Sequence, residues 1–258
     1  MFKAFNITDV NWPVSFLEAG QAAADENRKL IRDALEPFIV GKIVDGSKLA
    51  EHWFPQIGAD VFISHAHADE EQALRCAGWL KTQLGIRPFV DSCVWGHGNT
   101  LLKMIDDKFC LNPGGETYSY EKRNYSTSHV HMMVATALSK MIDSTECAFF
   151  VKTENSITSE EAVAKTKSPW LFLELAAMRI VRRRKPTRKI QLQAENFSRG
   201  MIKASDYYLA EYEVPLTELT ELTSDQLNNW LNSYEAASPK PENSLDLLYD
   251  LASDKARS

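Results

Sequence analysis

The stretch Asp60-Val-Phe-Ile-Ser-His-Ala-His-Ala-Asp69 decides the fold of this chain. Its apolar part, Val61 to Ile63, is typical of a short buried strand. A helix is predicted to follow from Asp69 to Gly85, with apolar residues along one side: Ala73, Cys76, Ala77, Leu80 and Leu84. A second short strand follows at Arg87–Asp91. Because strand and helix alternate, the sequence predicts a parallel sheet covered by helices, an α/β fold.

Composition narrows the class of protein. The 258 residues leave room for one α/β domain with attached extensions. Apolar residues at 44% and charged residues at 25% exclude an intrinsically disordered chain. The net charge of −6 argues against nucleic acid or an anionic membrane surface as partner. The four cysteines lack a C-x-x-C spacing, which favours the reducing cytoplasm, and no apolar run approaches the about 18 residues of a membrane helix.

Three segments are predicted to be additions to a central unit that spans residues 59–214: two terminal extensions and one insertion within it. Residues 1–58 are expected to form an N-terminal helical extension. Residues 111–145 are expected to be an insertion, first an irregular loop and then a helix. Residues 215–258 are expected to form a C-terminal helical extension that begins near a capping box at Thr223-x-x-Gln226 and ends in a fraying tail.

Further elements complete the central unit. Cys147–Val151 is an apolar run that predicts a third strand. Ser168-Pro169 supplies an N-cap and a proline at the first helical position, so a helix is expected over Trp170–Val181. Lys189–Gln193 and Leu209–Val214 are the candidates for the fourth and fifth strands.

The polar residues after the first strand are a candidate site, because ligands of open α/β sheets bind at the carboxyl ends of strands. His65, His67 and Asp69 have the H-x-H-x-D spacing by which some metallo-hydrolases hold zinc. Glu70 stands where a further histidine is usual in that motif, which weighs against a metal site. The alternative is that the histidines end the strand and Asp69 caps the next helix.

Glu174 is the second candidate. It follows Trp170 by four residues in a W-x-x-x-E arrangement, so both side chains share one face of an otherwise apolar helix. A lone buried carboxylate is costly, so Glu174 should either reach a cleft or pair with a cation such as Arg179 or Arg182. Both outcomes are open from the sequence. The loop at 91–100, with two glycines and Trp95, is a weaker candidate that matches no phosphate-binding fingerprint.

Four motifs occur in an order that resembles a known family. These are DVFISHAHADEE (60–71), RPFVDSCVWG (87–96), CAFFVKTENS (147–156) and SPWLFLELAAM (168–178). They resemble strand A, strand B with its following loop, strand C and the catalytic helix of a Toll/interleukin receptor (TIR) domain. The resemblance covers residues 59–214 and implies a flavodoxin-like, three-layer α/β sandwich with five parallel strands in the order 2-1-3-4-5.

The resemblance also implies an activity. Bacterial and plant members of the family cleave the nicotinamide–ribose bond of NAD. Glu174 matches the family's catalytic glutamate, and Trp170 matches the tryptophan of the same motif. NAD would then be the substrate, with no separate cofactor and no metal.

A cleft is expected where strands A and C lie side by side. The implied strand order places Ser64 and His65 beside the loop that leads to Ser168. Aromatic side chains could bind nicotinamide or adenine there, and the candidates are Phe89, Trp95 and Trp170. Packing in the core is the alternative for Phe89 and Trp95.

The extensions and the insertion resemble bacterial anti-phage TIR proteins of the Thoeris type. This likeness implies cytoplasmic antiviral signalling, a homo-oligomer assembled through the loop after strand B, and a downstream effector that senses the product. The product could be ADP-ribose, a cyclic ADP-ribose isomer or a conjugate. Many TIR domains are scaffolds, so the alternative function is a non-catalytic interaction module in which Glu174 forms a structural ion pair.

Overall fold

A five-stranded parallel sheet forms the centre of the molecule. The computed structural model describes residues 1–29, 34–40, 43–157, 164–186, 211–214, 216–237 and 244–254. The strands of the sheet are β1 (Lys3–Ile7), β4 (Val61–Ser64), β5 (Pro88–Val90), β6 (Cys147–Val151) and β9 (Thr220–Leu222). Their order is β5-β4-β6-β1-β9, and every neighbouring pair is parallel. The predicted α/β class is confirmed.

Two short antiparallel pairs accompany this sheet: β2 (Ile39–Val40) with β3 (Ile43–Val44), and β7 (Lys165–Thr166) with β8 (Tyr212–Glu213). The helices are α1 (Leu17–Arg28), α2 (Gly46–Trp53), α3 (Glu70–Leu84), α4 (Ser92–Phe109), α5 (Tyr120–Ser144), α6 (Pro169–Ile180), α7 (Ser224–Ala237) and α8 (Ser244–Asp254). None of the helices in the described ranges is both long and apolar enough to cross a membrane.

Helices cover both faces of the sheet, because successive strand residues point to opposite sides and both sides are apolar. One face packs against α3, α7 and α8 through Phe5, Ile7, Val61, Ile63 and Phe149. The other face packs against α2, α5 and α6 through Ala4, Phe62, Phe89, Ala148 and Phe150. The molecule is therefore a three-layer sandwich. The end of β4, where the candidate residue Ser64 lies, is next to α6.

The predicted strand order is correct for three of its five positions. The order β5-β4-β6 reproduces positions 2-1-3, but β1 and β9 occupy the remaining two positions. The predicted fourth strand, Lys189–Gln193, lies outside the described residues. Of the predicted fifth strand, Leu209–Val214, the described part forms the short β8, which pairs antiparallel with β7 and not with the central sheet.

The N-terminal segment is not wholly helical as predicted. Lys3–Ile7 is a strand that lies between β6 and β9, with both neighbours in parallel register. This segment has only five residues and includes the polar Lys3 and Asn6. It is therefore too short to show the alternation of apolar and polar residues that predicts a strand. The helices expected in this segment do form, as α1 and α2.

The C-terminal segment holds a strand and two helices. The predicted capping box is confirmed, because the backbone N–H of Thr223 donates to Oε1 of Gln226 at 3.0 Å. The predicted fraying is wrong for α8, in which Leu248 and Tyr249 are fully buried. These side chains pack with Trp230 of α7 on one face of the sheet.

Helices extend into two segments that were predicted to be irregular. The loop expected at 91–100 is the first half of α4, which begins at Ser92 after the N-cap Asp91. Its Gly98 serves close packing, because a Cβ there would lie 3.2 Å from Cγ2 of Val134 on α5. The insertion is irregular only up to Ser119, which caps the 25-residue helix α5 by accepting from the N–H of Lys122.

Candidate functional site

Four polar side chains meet at the carboxyl edge of the sheet. Ser64 ends β4 and His65 follows it, Asp91 follows β5, and Glu174 lies on α6. From β4 the chain runs through α3 to β5, and from β6 it runs through α6 toward the opposite edge, at β9. The boundary between β4 and β6 is therefore a switch point, the usual position of a ligand site in an open α/β sheet.

The position of Glu174 depends on how α6 begins. Oγ of Ser168 accepts a hydrogen bond from the backbone N–H of Leu171 at 3.2 Å, and Pro169 occupies the first helical position. Glu174 then falls on the buried side of the helix, with 0% of its surface exposed. Its Oε2 accepts a hydrogen bond from Oγ of Ser64 at 2.5 Å. The capped start of α6 thus sets which side of the helix Glu174 occupies, and there it meets Ser64.

A second carboxyl group lies beside Glu174. Burial raises the pKa of Glu174 well above its ordinary range, and the adjacent Asp91 raises it further by charge repulsion and hydrogen bonding. The hydrogen bond from Ser64 lowers it only in part. Within the described part of the chain, Oε1 of Glu174 has no hydrogen-bond donor. A proton held between the two carboxyls would supply one, as in other paired acids.

His65 lies beside the second acid of the cluster. Its Nδ1 lies 2.7 Å from Oδ1 of Asp91, and both side chains are nearly fully buried. Burial lowers the pKa of His65, but Asp91, Glu70 and Asp69 together raise it more, so that the pKa lies above its ordinary value. Oδ1 of Asp91 also accepts from the backbone N–H of Ser92 at 2.7 Å. The positive end of α4 therefore adds to the stabilisation of negative charge on Asp91.

The cations considered as partners of Glu174 lie elsewhere. Nε of Arg179 pairs with Oε1 of Glu218 at 3.0 Å, and Arg182 is exposed. Across the described ranges, no Lys, Arg or His forms an ion pair directly with Glu174. Glu174 therefore does not form, within the described residues, the ion pair that was expected for a non-catalytic interaction module.

The predicted aromatic residues do not gather at the cluster. Phe89 is 3% exposed and stacks on Phe62 with ring centroids 5.6 Å apart, so it belongs to the core. Trp170 is half-buried, and its ring meets the exposed His131 edge to face at 5.6 Å. The backbone of Trp95 is in α4, and its side chain lies outside the described residues.

The residues of the zinc hypothesis are dispersed. His67 is exposed, His65 contacts Asp91, and Asp69 accepts hydrogen bonds from Oγ1 of Thr153 at 2.5 Å and Nδ2 of Asn155 at 2.8 Å. No three His, Cys, Asp or Glu side chains converge as a metal site in the ranges that the structure describes. Asp69 instead joins the loop after β4 to the loop after β6.

Sequence reasoning missed Asp91 as a member of the site, although a signal for it exists. Asp91 directly follows β5, as Ser64 ends β4, and both belong to the same edge of a parallel sheet. On each strand the polar residue comes two positions after a phenylalanine that faces α5 and α6, Phe62 or Phe89. The period of two therefore places both polar side chains on the side of α6.

Comparisons of the chain with protein-family models, with curated proteins and with solved structures gave no match. The function is therefore inferred from the fold and from the buried cluster. The cluster offers two adjacent acids, a histidine beside one of them and a hydroxyl bonded to the other. Such a set can hold, release or position a proton, and can present one negative charge to a ligand.

The raised pKa of Glu174 predicts how its replacement changes stability with pH. An acid whose pKa is raised by folding contributes stability below its ordinary pKa, about 4.3, and that contribution is lost as the pH rises toward its folded value. Gln does not ionise, so the Glu174→Gln variant does not lose this stability as the pH rises. We expect the free energy of unfolding of the variant, relative to the original protein, to increase between about pH 4.5 and about pH 7.5.

Urea unfolding of both proteins at the two pH values measures this difference. The matched control is Glu51→Gln, because Glu51 is exposed on α2. A relative stability of Glu174→Gln that stays constant with rising pH would show that folding does not raise the pKa of Glu174. A relative stability that decreases would show that the folded protein favours the ionised form of Glu174.

Proposed function

We propose that this protein cleaves the nicotinamide–ribose bond of NAD, as the TIR-type resemblance implies, with the carboxylate of Glu174 stabilising the sugar cation. The observation that carries the proposal is the environment of Glu174: a buried acid at the switch point, next to a second acid and a hydroxyl, with no cation of its own in the described residues. Two buried acids side by side destabilise a fold. Such an arrangement is typical of sites where chemistry requires it.

The chemistry needs one negative charge. Nicotinamide leaves a pyridinium group as a neutral molecule, so no general acid is required to protonate it. Positive charge develops on the ribose as the bond breaks, and a carboxylate placed beside it stabilises that charge. Ser64 holds Oε2 of Glu174, which leaves Oε1 as the oxygen that could accept from a ribose hydroxyl.

Burial sets a condition on this reaction. Glu174 is fully buried and its raised pKa favours the neutral acid. The buried arrangement is therefore the resting state in this proposal, and binding of NAD must both expose Oε1 and remove its proton. Assembly through the segment after β5, which the TIR resemblance implies, is one way to open the site. The product, the antiviral role, the cytoplasmic location and the downstream effector stay predictions.

A non-catalytic interaction module is the second candidate function. The same full burial of Glu174 favours it, because a residue without access to solvent cannot meet a substrate unless the protein moves. In that case the acid cluster would hold the ends of β4, β5 and α6 together. The metallo-hydrolase hypothesis is not carried further, because its three residues are not brought together.

Incubation of the purified full chain with NAD separates the two candidates. We expect nicotinamide to be released in amounts equal to the NAD consumed, with the ADP-ribose-containing product identified by mass spectrometry. A series of protein concentrations is included because the predicted oligomer should raise the activity per chain. NAD that stays intact throughout the series, as with heat-denatured protein, would leave the interaction module as the function.

A further inference from the structure

Two consecutive residues contact the two different acids of the cluster. Ser64 donates to Glu174 at 2.5 Å, and His65 lies 2.7 Å from Asp91. The two carboxyls therefore have different polar neighbours, Ser64 at Glu174 and His65 at Asp91. One acid receives a neutral hydroxyl, and the other receives a group that can carry positive charge.

Groups that can stabilise a negative charge surround Asp91. His65 and the backbone N–H of Ser92 both lie against Asp91, and α4 directs its positive end toward it. Asp69 and Glu70, which follow on the same segment, also favour the protonated form of His65. Among the residues that the structure describes, the polar groups recorded next to Glu174 are the Ser64 hydroxyl and the Asp91 carboxyl. This environment favours the protonated form of Glu174.

On the basis of the proposed function, we propose that His65 and Asp91 are positioning residues that determine when Glu174 loses its proton and becomes the catalytic carboxylate. The resting cluster holds protonated His65, ionised Asp91 and neutral Glu174, with a net charge of zero. The active cluster has lost one proton, from Glu174 to solvent, and has a net charge of −1. No other bond changes in this step.

The two positioning residues act in opposite directions on this proton. Without the positive charge of His65, the active cluster would carry two uncompensated negative charges, so Glu174 would hold its proton to higher pH. Without the negative charge of Asp91, Glu174 would lose its proton at lower pH. A charge at this distance moves the pKa of a neighbouring acid by about 1–3 units.

The pH dependence of kcat for nicotinamide release tests the proposal. We expect the acid limb to move to higher pH by about 1–3 units in His65→Gln and to lower pH by a similar amount in Asp91→Asn. His67→Gln is the matched control, because His67 is exposed two positions away, and it should leave the limb in place. Shifts of both variants in the same direction, or no shift, would overturn the proposal, because a merely structural role lowers the rate without opposite shifts.

A readout that needs no activity separates this proposal from the proposed function. The carboxyl carbon of Glu174 can be followed by NMR in protein labelled with ¹³C-glutamate, with Glu174→Gln to assign the signal. We expect its titration midpoint to lie above the ordinary range and to move in the same opposite directions in the two variants. If the midpoint moves but NAD is not cleaved, the proton switch stands and the NAD proposal fails.

The unsubstituted protein supplies a further test if either variant fails to fold. The ¹⁵N shifts of the His65 ring report whether it is protonated at neutral pH. A neutral His65 ring, or a Glu174 carboxyl that titrates in the ordinary range, would overturn the proposal.

Discussion

Replacing Glu174 with Gln is expected to lower kcat for nicotinamide release by about 10²–10³-fold, the loss seen when one preorganised electrostatic group is removed from an active site. Gln keeps the shape of the side chain and can still accept the hydrogen bond from Ser64, but it carries no negative charge. Because the charge acts on the cation that forms in the transition state, KM should change little. The measurement is a steady-state assay of nicotinamide release over a range of NAD concentrations.

The control for this prediction is Glu51→Gln, which removes an exposed carboxylate on α2 and should keep the original kcat. Far-ultraviolet circular dichroism of both variants checks that the fold is retained. A kcat of Glu174→Gln within a factor of about two of the original, well short of the loss expected for a lost transition-state interaction, would remove Glu174 from the mechanism.

Replacing Trp230 with Ala is expected to lower the free energy of unfolding by about 3–5 kcal/mol, the usual cost of deleting a large buried aromatic side chain. Trp230 is fully buried in α7 and contacts the rings of Trp79 and Phe149 edge to face, at 5.7 and 6.4 Å. Its Nε1 donates to the backbone oxygen of Ser244 at 2.8 Å, where α8 begins. The substitution would leave a cavity between the two terminal helices and the sheet.

Chemical denaturation of Trp230→Ala measures this loss. Tyr120→Ala is the matched control, because Tyr120 is a large aromatic residue that is 80% exposed. A loss below about 1 kcal/mol for Trp230→Ala, typical of a surface position, would show that α7 and α8 are not part of the core.

The elements best predicted from the sequence are those with strong local signals. Three apolar runs that are buried on both faces correspond to β4, β5 and β6, because strands of a parallel sheet are covered on both sides. Ser168-Pro169 predicts the start of α6 to within one residue, since capping depends on adjacent side chains. Together with the strand order that the resemblance implies, these elements predict Ser64 beside the segment that begins α6.

The parts that were missed depend on contacts between distant segments. The strands β1 and β9 have five and three residues, and they are strands because neighbours far along the chain pair with them. The local sequence predicts Gly98 in a loop, whereas in the structure Gly98 lies in α4 and packs closely against Val134 of α5. The pairing of Asp91 with Glu174 joins residues 83 positions apart, and no local pattern encodes it.

The most direct test of the central claim is chemical rescue of Glu174→Ala. This substitution leaves a space beside Ser64 that is large enough for a small carboxylate. We expect formate to restore part of the nicotinamide release that Glu174→Ala has lost, and neutral formamide to restore none, because negative charge at this position drives the reaction. Nicotinamide release by Glu174→Ala at the original rate without formate would contradict the claim, as would equal restoration by formate and formamide.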